Sequence, residues 1–348
     1  MIPRLLFLLI FVITLSNCTK EVVQAPQKSF FEILNAHPDS AVEITVTTAL
    51  TDLLEERSST YQEAKLDVQL PDGTFQSLHA QLKTRGQTRK KICDFPPLKL
   101  KITEESLIQN NWDTELSSYK LVTDCIGNKD LVAKEMLAYQ IFQLFSEISF
   151  KVQPLIITYV NIDDPQNQLQ QFGFIIESKK ALAKRLDAAA IHNHQNMIDA
   201  AQYQKMTLFQ FMIGNTDWNL RSEHNIKYVQ LRNKKIPSPI PYDFDYAGLI
   251  NAPYATPHPK LPIQAVKERF FQYRGRTSEQ LVHTLEQIDE LQNKILSTCH
   301  DHPMLSISAK EEVAQYLDSF FKIVDYALEH QDKVVQILKG SNYNLSAA

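Results

Sequence analysis

Apart from one inserted helix, the hydrophobic period of this chain passes from two to 3.6 near its middle, and that change restricts its possible folds. From residue 41 to 177 the apolar residues mostly alternate with polar ones, as half-buried strands require. Residues 41–50 (AVEITVTTAL) are rich in β-formers. Residues 64–70 and 75–82 alternate on either side of Pro71-Asp72-Gly73, which predicts a hairpin. Leu98, Leu100 and Ile102 share one face of a further strand, with Lys99 and Lys101 on the other. Two more strands are expected at 154–160 and 172–176. One helix interrupts them at 129–148, where Leu137, Ile141, Leu144, Phe145 and Ile148 recur at helical spacing. Beyond 178 the helical period dominates, at 197–213, 278–298 and 309–337. A strand-rich N-terminal lobe (41–177) followed by a helix-rich C-terminal lobe (178–340) predicts an α+β fold.

The first residues stand apart. Met1 to Arg4 carry one positive charge, and residues 5–15 (LLFLLIFVITL) are uniformly apolar. That run is too short to span a bilayer, which takes about 20 residues, but suits the core of a secretory signal. Leu15-Ser16-Asn17-Cys18 resembles a lipobox, in which the cysteine is lipidated and becomes the new N-terminus. The expectation is a signal peptide at 1–18, a lipid on Cys18 and a polar tether at 19–40 with Pro26 and Pro38. The location implied is the cell envelope on the extracytoplasmic side, periplasmic or surface, with the membrane as partner through the lipid.

A formal net charge of -4 and the lack of a long basic run argue against a nucleic-acid surface. Export would expose Cys93, Cys125 and Cys299 to an oxidising compartment. Cys93 precedes one strand and Cys125 follows another. If the two strands are neighbours, a Cys93–Cys125 disulfide forms and Cys299 remains as a buried thiol. Without CxxC spacing or clustered histidines, zinc is the weaker reading.

Polar residues of chemical interest gather at 211–251. Asp217 follows an apolar helix in the turn Gly214-Asn215-Thr216-Asp217. Asn225 opens a strand, and Asp243-Phe244-Asp245 follows a second one. Mg²⁺ favours such oxygen ligands, usually one or two carboxylates completed by phosphates and water. A separate carboxylate beside an acceptor hydroxyl serves phosphoryl transfer.

Four blocks carry a resemblance. They are Thr84-Arg85-Gly86-Gln87-Thr88; Pro97-Leu98-Lys99-Leu100-Lys101-Ile102; Leu121-Val122 leading to Leu137-Ala138-Tyr139; and Asn215-Thr216-Asp217-Trp218 with Asn225 and Pro241-Tyr242-Asp243-Phe244-Asp245. Over residues 84–250 the chain resembles the CotH-like spore-coat protein kinases, an atypical branch of the two-lobed kinase fold. More closely, it looks like bacterial lipoproteins that share CxFPPL, KLVTxC, GNTDW and PYDFDYAGL and have no assigned activity. The resemblance implies ATP as co-substrate and Mg²⁺ (or Mn²⁺) as cofactor. It places Arg85 with the turn 86–88 near the phosphates, Lys99 or Lys120 on a phosphate, and Glu135 as the lysine's helical partner. Phe174 to Glu177 would be the strand beside adenine, or simply core. Asp217 would be the catalytic carboxylate, Asn225 and Asp243 metal ligands, and Asp245 a second ligand or a structural group. GxGxxG, HRD and DFG are absent, and Gln87 stands where that family often has Asn.

The expected function is therefore phosphoryl transfer from Mg-ATP to a protein or small-molecule hydroxyl. One alternative is a binding lipoprotein on a kinase-like fold without turnover. Another is a glycosyltransferase using Asp243-Phe244-Asp245 as its DxD, although no Rossmann-like alternation precedes that motif. His192-Asn193-His194 reads as a polar loop rather than a metal pair. His224 flanks Asn225 as either a site group or a packing group. Lys267, Arg269, Arg274 and Arg276 are candidates for phosphate contact or for a solvated face.

Overall fold

The computed structural model describes residues 27–192, 197–275 and 278–340. The signal segment, Cys18 and the start of the tether lie outside the described residues, as do Asn193, His194 and Arg276. No described helix is long and apolar enough to cross a membrane.

The N-terminal half contains helix α1 (Phe30–Leu34), strand β1 (Val42–Thr48), helix α2 (Leu50–Glu56) and strands β2 (Gln62–Gln69) and β3 (Phe75–Thr84). Helix α3 (Arg89–Ile92), strand β4 (Leu98–Ile102), helix α4 (Glu104–Gln109) and strand β5 (Ser118–Val122) follow. Then come helix α5 (Lys129–Phe145) and the strands β6 (Val152–Asn161) and β7 (Asp164–Ile176). The seven strands close a barrel in the order β1-β2-β3-β4-β5-β7-β6. Its seam is a parallel pairing of β1 with β6, from Val42 opposite Leu155 to Thr48 opposite Asn161. The other neighbours are antiparallel.

The β2–β3 hairpin turns where expected. Asp72 Oδ1 accepts from the Thr74 backbone N–H and hydroxyl, and Gly73 takes a φ of +86° that disfavours a side chain. Alternation then fills the barrel with Leu66, Leu78, Leu82, Leu100 and Leu121, all at most 1% exposed.

The tether reading of 19–40 needs correction at its far end. Phe30, Phe31 and Leu34 on α1 are buried, and the Phe30 ring lies 5.6 Å from Trp112 and 5.8 Å from Tyr119. Ser29 caps α1 in a capping box with Glu32. The two phenylalanines cover apolar surface that the alternating strands leave bare. Strand β7 also begins earlier than expected. Residues 164–170 are exposed and polar, so neither period marks them, and pairing with β6 alone holds them.

The remaining elements are helix α6 (Lys179–Arg185), strand β8 (Ala188–Ile191), helix α7 (Ala200–Met212), and strands β9 (Ile226–Leu231) and β10 (Ser238–Pro241). Helices α8 (Glu279–Asp289), α9 (Gln292–His300), α10 (Ile307–Glu329) and α11 (Val334–Gly340) complete the chain. The fold is α+β, with a large strand-rich unit first and a helical C-terminal part. The expected helix at 278–298 is two, broken near Glu290, and that at 309–337 is also divided. A second core packs α5, α7 and α10 together around Phe142, Phe209 and Phe320. β5 and β7 serve both cores: Leu121 and Ile175 point into the barrel, Val122 and Phe174 toward α5. That two-sided burial explains the continuous apolar run at Phe174 to Ile176.

The expected disulfide is present between Cys93 and Cys125, with Cα atoms 4.6 Å apart, and Cys299 is a buried free thiol. β4 and β5 are indeed neighbours, with Leu98 opposite Leu121. Cys93 itself ends α3, so the bridge ties that short helix to the loop that leads into α5.

Candidate functional site

The site forms where the barrel meets β9, β10 and the turn after α7. Pairing of β10 with β9 sets Pro241 opposite Ile226, and Tyr242 N–H donates to Asn225 O at 3.1 Å. Asn225 and Asp243 thus lie side by side just beyond the paired strands. Both have left-handed backbones, φ +50° and +66°, a conformation that Asn and Asp tolerate better than most residues. Asp243 N–H donates to Tyr139 Oη at 2.9 Å, which anchors the corner to α5. Among the described residues the Asp243 carboxylate accepts no hydrogen bond and makes no ion pair, unlike an ordinary turn aspartate.

The buried Phe244 packs on Tyr139 and Phe209, with ring centroids 4.6 and 5.4 Å away. Gly248 then crosses Gly214, donating N–H to its carbonyl. A Cβ at Gly248 would lie 2.5 Å from Val266 O, so the crossing requires glycine. This contact fixes the Asp243 segment against the turn that bears Asp217.

Asp217 is half-buried. Its Oδ1 lies 2.9 Å from His224 Nε2, and its Oδ2 accepts from Asn225 Nδ2 at 3.0 Å. The same Asn225 amide reaches Asp217 O at 2.8 Å, and Asn215 Oδ1 accepts the Asp217 N–H. Asp217, Asn225 and His224 are therefore hydrogen-bonded together, and Asp243 adjoins Asn225.

Above this corner lies a cationic recess of about 230 Å³, lined by Lys99, Lys120, Lys227, Tyr242 and Glu177. Lys99 and Lys120 are register partners across β4 and β5. The Lys120 and Lys227 ammoniums stand 4.1 and 4.6 Å from the centroid of the Tyr242 ring. Burial pushes Lys120 down to about 7; Arg85, Lys227 and Lys99 push the same way and Asp243 opposes. Burial also lowers Lys227. None of these three lysines has an ion-pair partner within 4 Å among the described residues. The turn after Arg85 exists, with Gly86 at φ +87°. It faces a separate open recess of about 780 Å³ beside Arg57, Lys90 and Lys91.

One assignment changes, and two others fall to the structural alternative. Glu135 does not pair with a strand lysine: its Oε2 accepts from Arg89 Nη1 at 3.2 Å, inside the protein. Asp245 also faces Arg89, with Oδ2 at 3.7 Å from Nε, so it is a structural group in this geometry. Glu177 is taken by Arg185, which donates to both carboxylate oxygens at 2.8 Å, while Lys151 N–H adds 3.1 Å. Its carboxylate clamps α6 to β7, and Phe174 to Ile176 are core.

One buried guanidinium thus faces two buried carboxylates. Burial raises both Glu135 and Asp245, Arg89 opposes, and Asp243 reinforces the rise. Arg89 and Lys227 are not singled out in the sequence, and Tyr139 enters only as the end of the Leu137-Ala138-Tyr139 block. Arg89 directly follows the Thr84–Thr88 block and Lys227 follows Asn225 by two, so proximity to the motifs was the signal.

Among the described residues no group of three or more His, Cys, Asp and Glu assembles into a cage for a metal ion. The oxygens fitting a hard cation are the Asp243 carboxylate and the Asn225 side-chain carbonyl; Asp245 would first have to leave Arg89. His192 contacts Glu223 at 2.8 Å as a loop group. Arg269 is buried against Met212 O, Tyr316 O and Ser319, so it is structural.

No protein-family model matches the chain, and no curated protein matches it in sequence. Among solved structures it is similar to the Helicobacter pylori proinflammatory kinase CtkA, at 14% identity with a TM-score of 0.40. The match covers 68% of this chain and 92% of that one.

Proposed function

We propose that the cleft binds a nucleoside triphosphate with Mg²⁺ or Mn²⁺ and transfers its terminal phosphoryl group to a hydroxyl. One observation carries the reading: Lys120 and Lys227, neither in an ion pair among the described residues, stand over the Tyr242 ring with Lys99 lining the same recess, and the adjacent Asp243 carboxylate accepts no hydrogen bond. Unpaired ammoniums at the edge of a core are stabilised by a bound anion. A partnerless carboxylate beside them is suited to a cation that arrives with that anion.

Lys99, Lys120 and Lys227 would hold the phosphate oxygens, with Arg85 adding to the positive field. Asp243 and the Asn225 carbonyl would hold the metal ion, which offsets charge on the phosphates and draws its remaining ligands from them and from water. Asp217 would orient the acceptor hydroxyl. The hydroxyl oxygen bonds to phosphorus, the bond to the bridging oxygen breaks, and the hydroxyl proton passes to Asp217 or to water. The nucleoside diphosphate leaves.

The reading keeps the domain outside the membrane, on a lipid at Cys18. The Cys93–Cys125 disulfide supports an oxidising compartment. A binding protein without turnover is favoured by a different observation: both Asp217 oxygens are already engaged, by His224 and Asn225. A DxD glycosyltransferase is disfavoured, because Asp245 is buried against Arg89.

Thermal melting with ATP, GTP or UDP-sugars, each with Mg²⁺ or Mn²⁺, separates the three. A ligand at 100 times its Kd stabilises the fold by about 2.7 kcal/mol. The expected result is a metal-dependent ATP shift that Asp243→Ala abolishes, followed by phosphate transfer on supplying an acceptor. Binding without turnover leaves the second reading, a UDP-sugar shift the third. No shift with any nucleotide sinks the proposal.

A further inference from the structure

A nucleoside triphosphate presents two different parts to a protein. Its flat base asks for an apolar face or a hydrogen-bonding edge, and its phosphate chain asks for cations. The recess beside Tyr242 offers the second and not the first. Its volume of about 230 Å³ lies below the roughly 300–1,000 Å³ of sites that enclose a whole small molecule.

The apolar lining is out of reach of a base. Tyr119, Phe150 and Ile176 line the recess but are only 1%, 4% and 5% exposed. Tyr242 is the more open ring, and the Lys120 and Lys227 ammoniums already stand over it. The edges expected to read adenine are also committed. Ile176 is in register with Lys120 on one side and Val152 on the other. Glu177 N–H donates to Lys151 O at 2.9 Å, and its carboxylate is held by Arg185. The Ser178 carbonyl and hydroxyl accept from Leu182 N–H at 2.9 Å and Ala181 N–H at 3.0 Å as the cap of α6. Lys179 Nζ donates to Ile191 O at 2.5 Å.

The cations, by contrast, are within reach. Lys99, Lys120 and Lys227 are each partly exposed on the recess wall. They form one group, because Lys99 lies opposite Lys120 across β4 and β5, and Lys120 shares the Tyr242 ring with Lys227. The carboxylate in the lining, Glu177, is already answered by Arg185. What the recess leaves unsatisfied is therefore positive charge alone, and phosphate oxygens are strong acceptors for it.

We infer that the recess recognises its ligand by the phosphate chain alone and leaves any base unread outside it, so that an inorganic linear polyphosphate serves as donor in place of a nucleoside triphosphate. The inference rests on the phosphoryl-transfer reading and names the donor class for that same site. With tripolyphosphate the acceptor oxygen bonds to the terminal phosphorus. The bond from that phosphorus to the bridging oxygen breaks, its electron pair stays on the oxygen, and pyrophosphate leaves. The hydroxyl proton passes to Asp217 or to water.

The test is calorimetric titration of the full chain, in Mg²⁺, with tripolyphosphate, ATP, GTP, CTP and adenosine. The expected result is that tripolyphosphate and the three nucleotides bind within about threefold of one another, while adenosine neither binds at millimolar concentration nor displaces tripolyphosphate. Lys99→Met/Lys227→Met should weaken tripolyphosphate and ATP alike by about tenfold or more, since each loses charge-assisted contacts. Lys227→Arg keeps the charge and should hold binding within about threefold, which separates lost charge from lost folding. ATP binding more than about tenfold tighter than tripolyphosphate or GTP, or displacement by adenosine, would overturn the inference and leave the phosphoryl-transfer reading standing. No binding of any phosphate compound would overturn both. Equal binding of all four phosphate compounds, with no phosphate passed to any acceptor, would overturn the phosphoryl-transfer reading and leave recognition of the chain standing.

Discussion

Consider replacing Arg89 by methionine. The guanidinium sits between Glu135 and Asp245, whose side chains are 2% and 8% exposed. Methionine refills most of the volume but leaves two carboxylates inside the protein without a cation. Removing one partner of a buried pair typically destabilises by about 3–5 kcal/mol. For a chain of this size, at roughly 2 °C per kcal/mol, the melting temperature should drop by about 6–10 °C. The sign of the pH dependence follows from the raised carboxyls. A carboxyl whose folded pKa exceeds its unfolded one gives stability that is fully present below the unfolded value, near 4, and lost as pH rises through the folded value. Loss of Arg89 raises both further, so Arg89→Met should be close to wild type at pH 5 and far below it at pH 8. Thermal melts at the two pH values read this directly. The variant Arg89→Met/Glu135→Gln/Asp245→Asn should recover much of the loss, because it removes the charges together. A cost under about 1 kcal/mol at pH 8, or the same cost at both pH values, would refute the picture of one cation holding two buried acids.

Two further substitutions probe the frame. Lys120 is held near 7 against an ordinary value of 10.5, so above pH 7 the unfolded chain binds more protons and the destabilisation from Lys120 eases as pH climbs toward 10. Lys120→Met should therefore raise the melting temperature at pH 6, give a smaller gain at pH 9, and weaken any ATP shift. The double change Cys93→Ser/Cys125→Ser opens a 32-residue loop. It should lower stability by about 3–4 kcal/mol in denaturant titration, a loss that added reductant reproduces in the wild type.

The α+β order, the β2–β3 hairpin, helix α5 and the disulfide were legible because each follows from a local period or from the register of two neighbouring strands. Asp217, Asn225 and Asp243 were legible as a group because a short antiparallel pair brings them together within 27 positions of sequence. The barrel closure was not legible. Pairing β1 with β6 depends on strand order, and no local pattern in Val42–Thr48 announces a parallel partner far along the chain. Glu135 shows a different limit. The resemblance implies a strand lysine as its partner, but which cation it meets depends on how α3 lies across α5. Arg89 wins because its α3 is tethered by Cys93 to the loop leading into α5. Helix α1 was hidden because five residues are too few to show a period.

A barrel sealed by its first and sixth strands has a consequence for how the chain may be cut. Holding Val42 beside Leu155 closes a loop of more than a hundred residues, at an entropic cost of about 4 kcal/mol. Nothing returns that cost until β6 docks. Any fragment ending before Val152 leaves the β1 edge bare, with Val42, Ile44 and Val46 in line as a template for foreign strands. Dissection of this protein should therefore start C-terminal to β7, since fragments of the strand-rich half that lack β6 should aggregate instead of refolding.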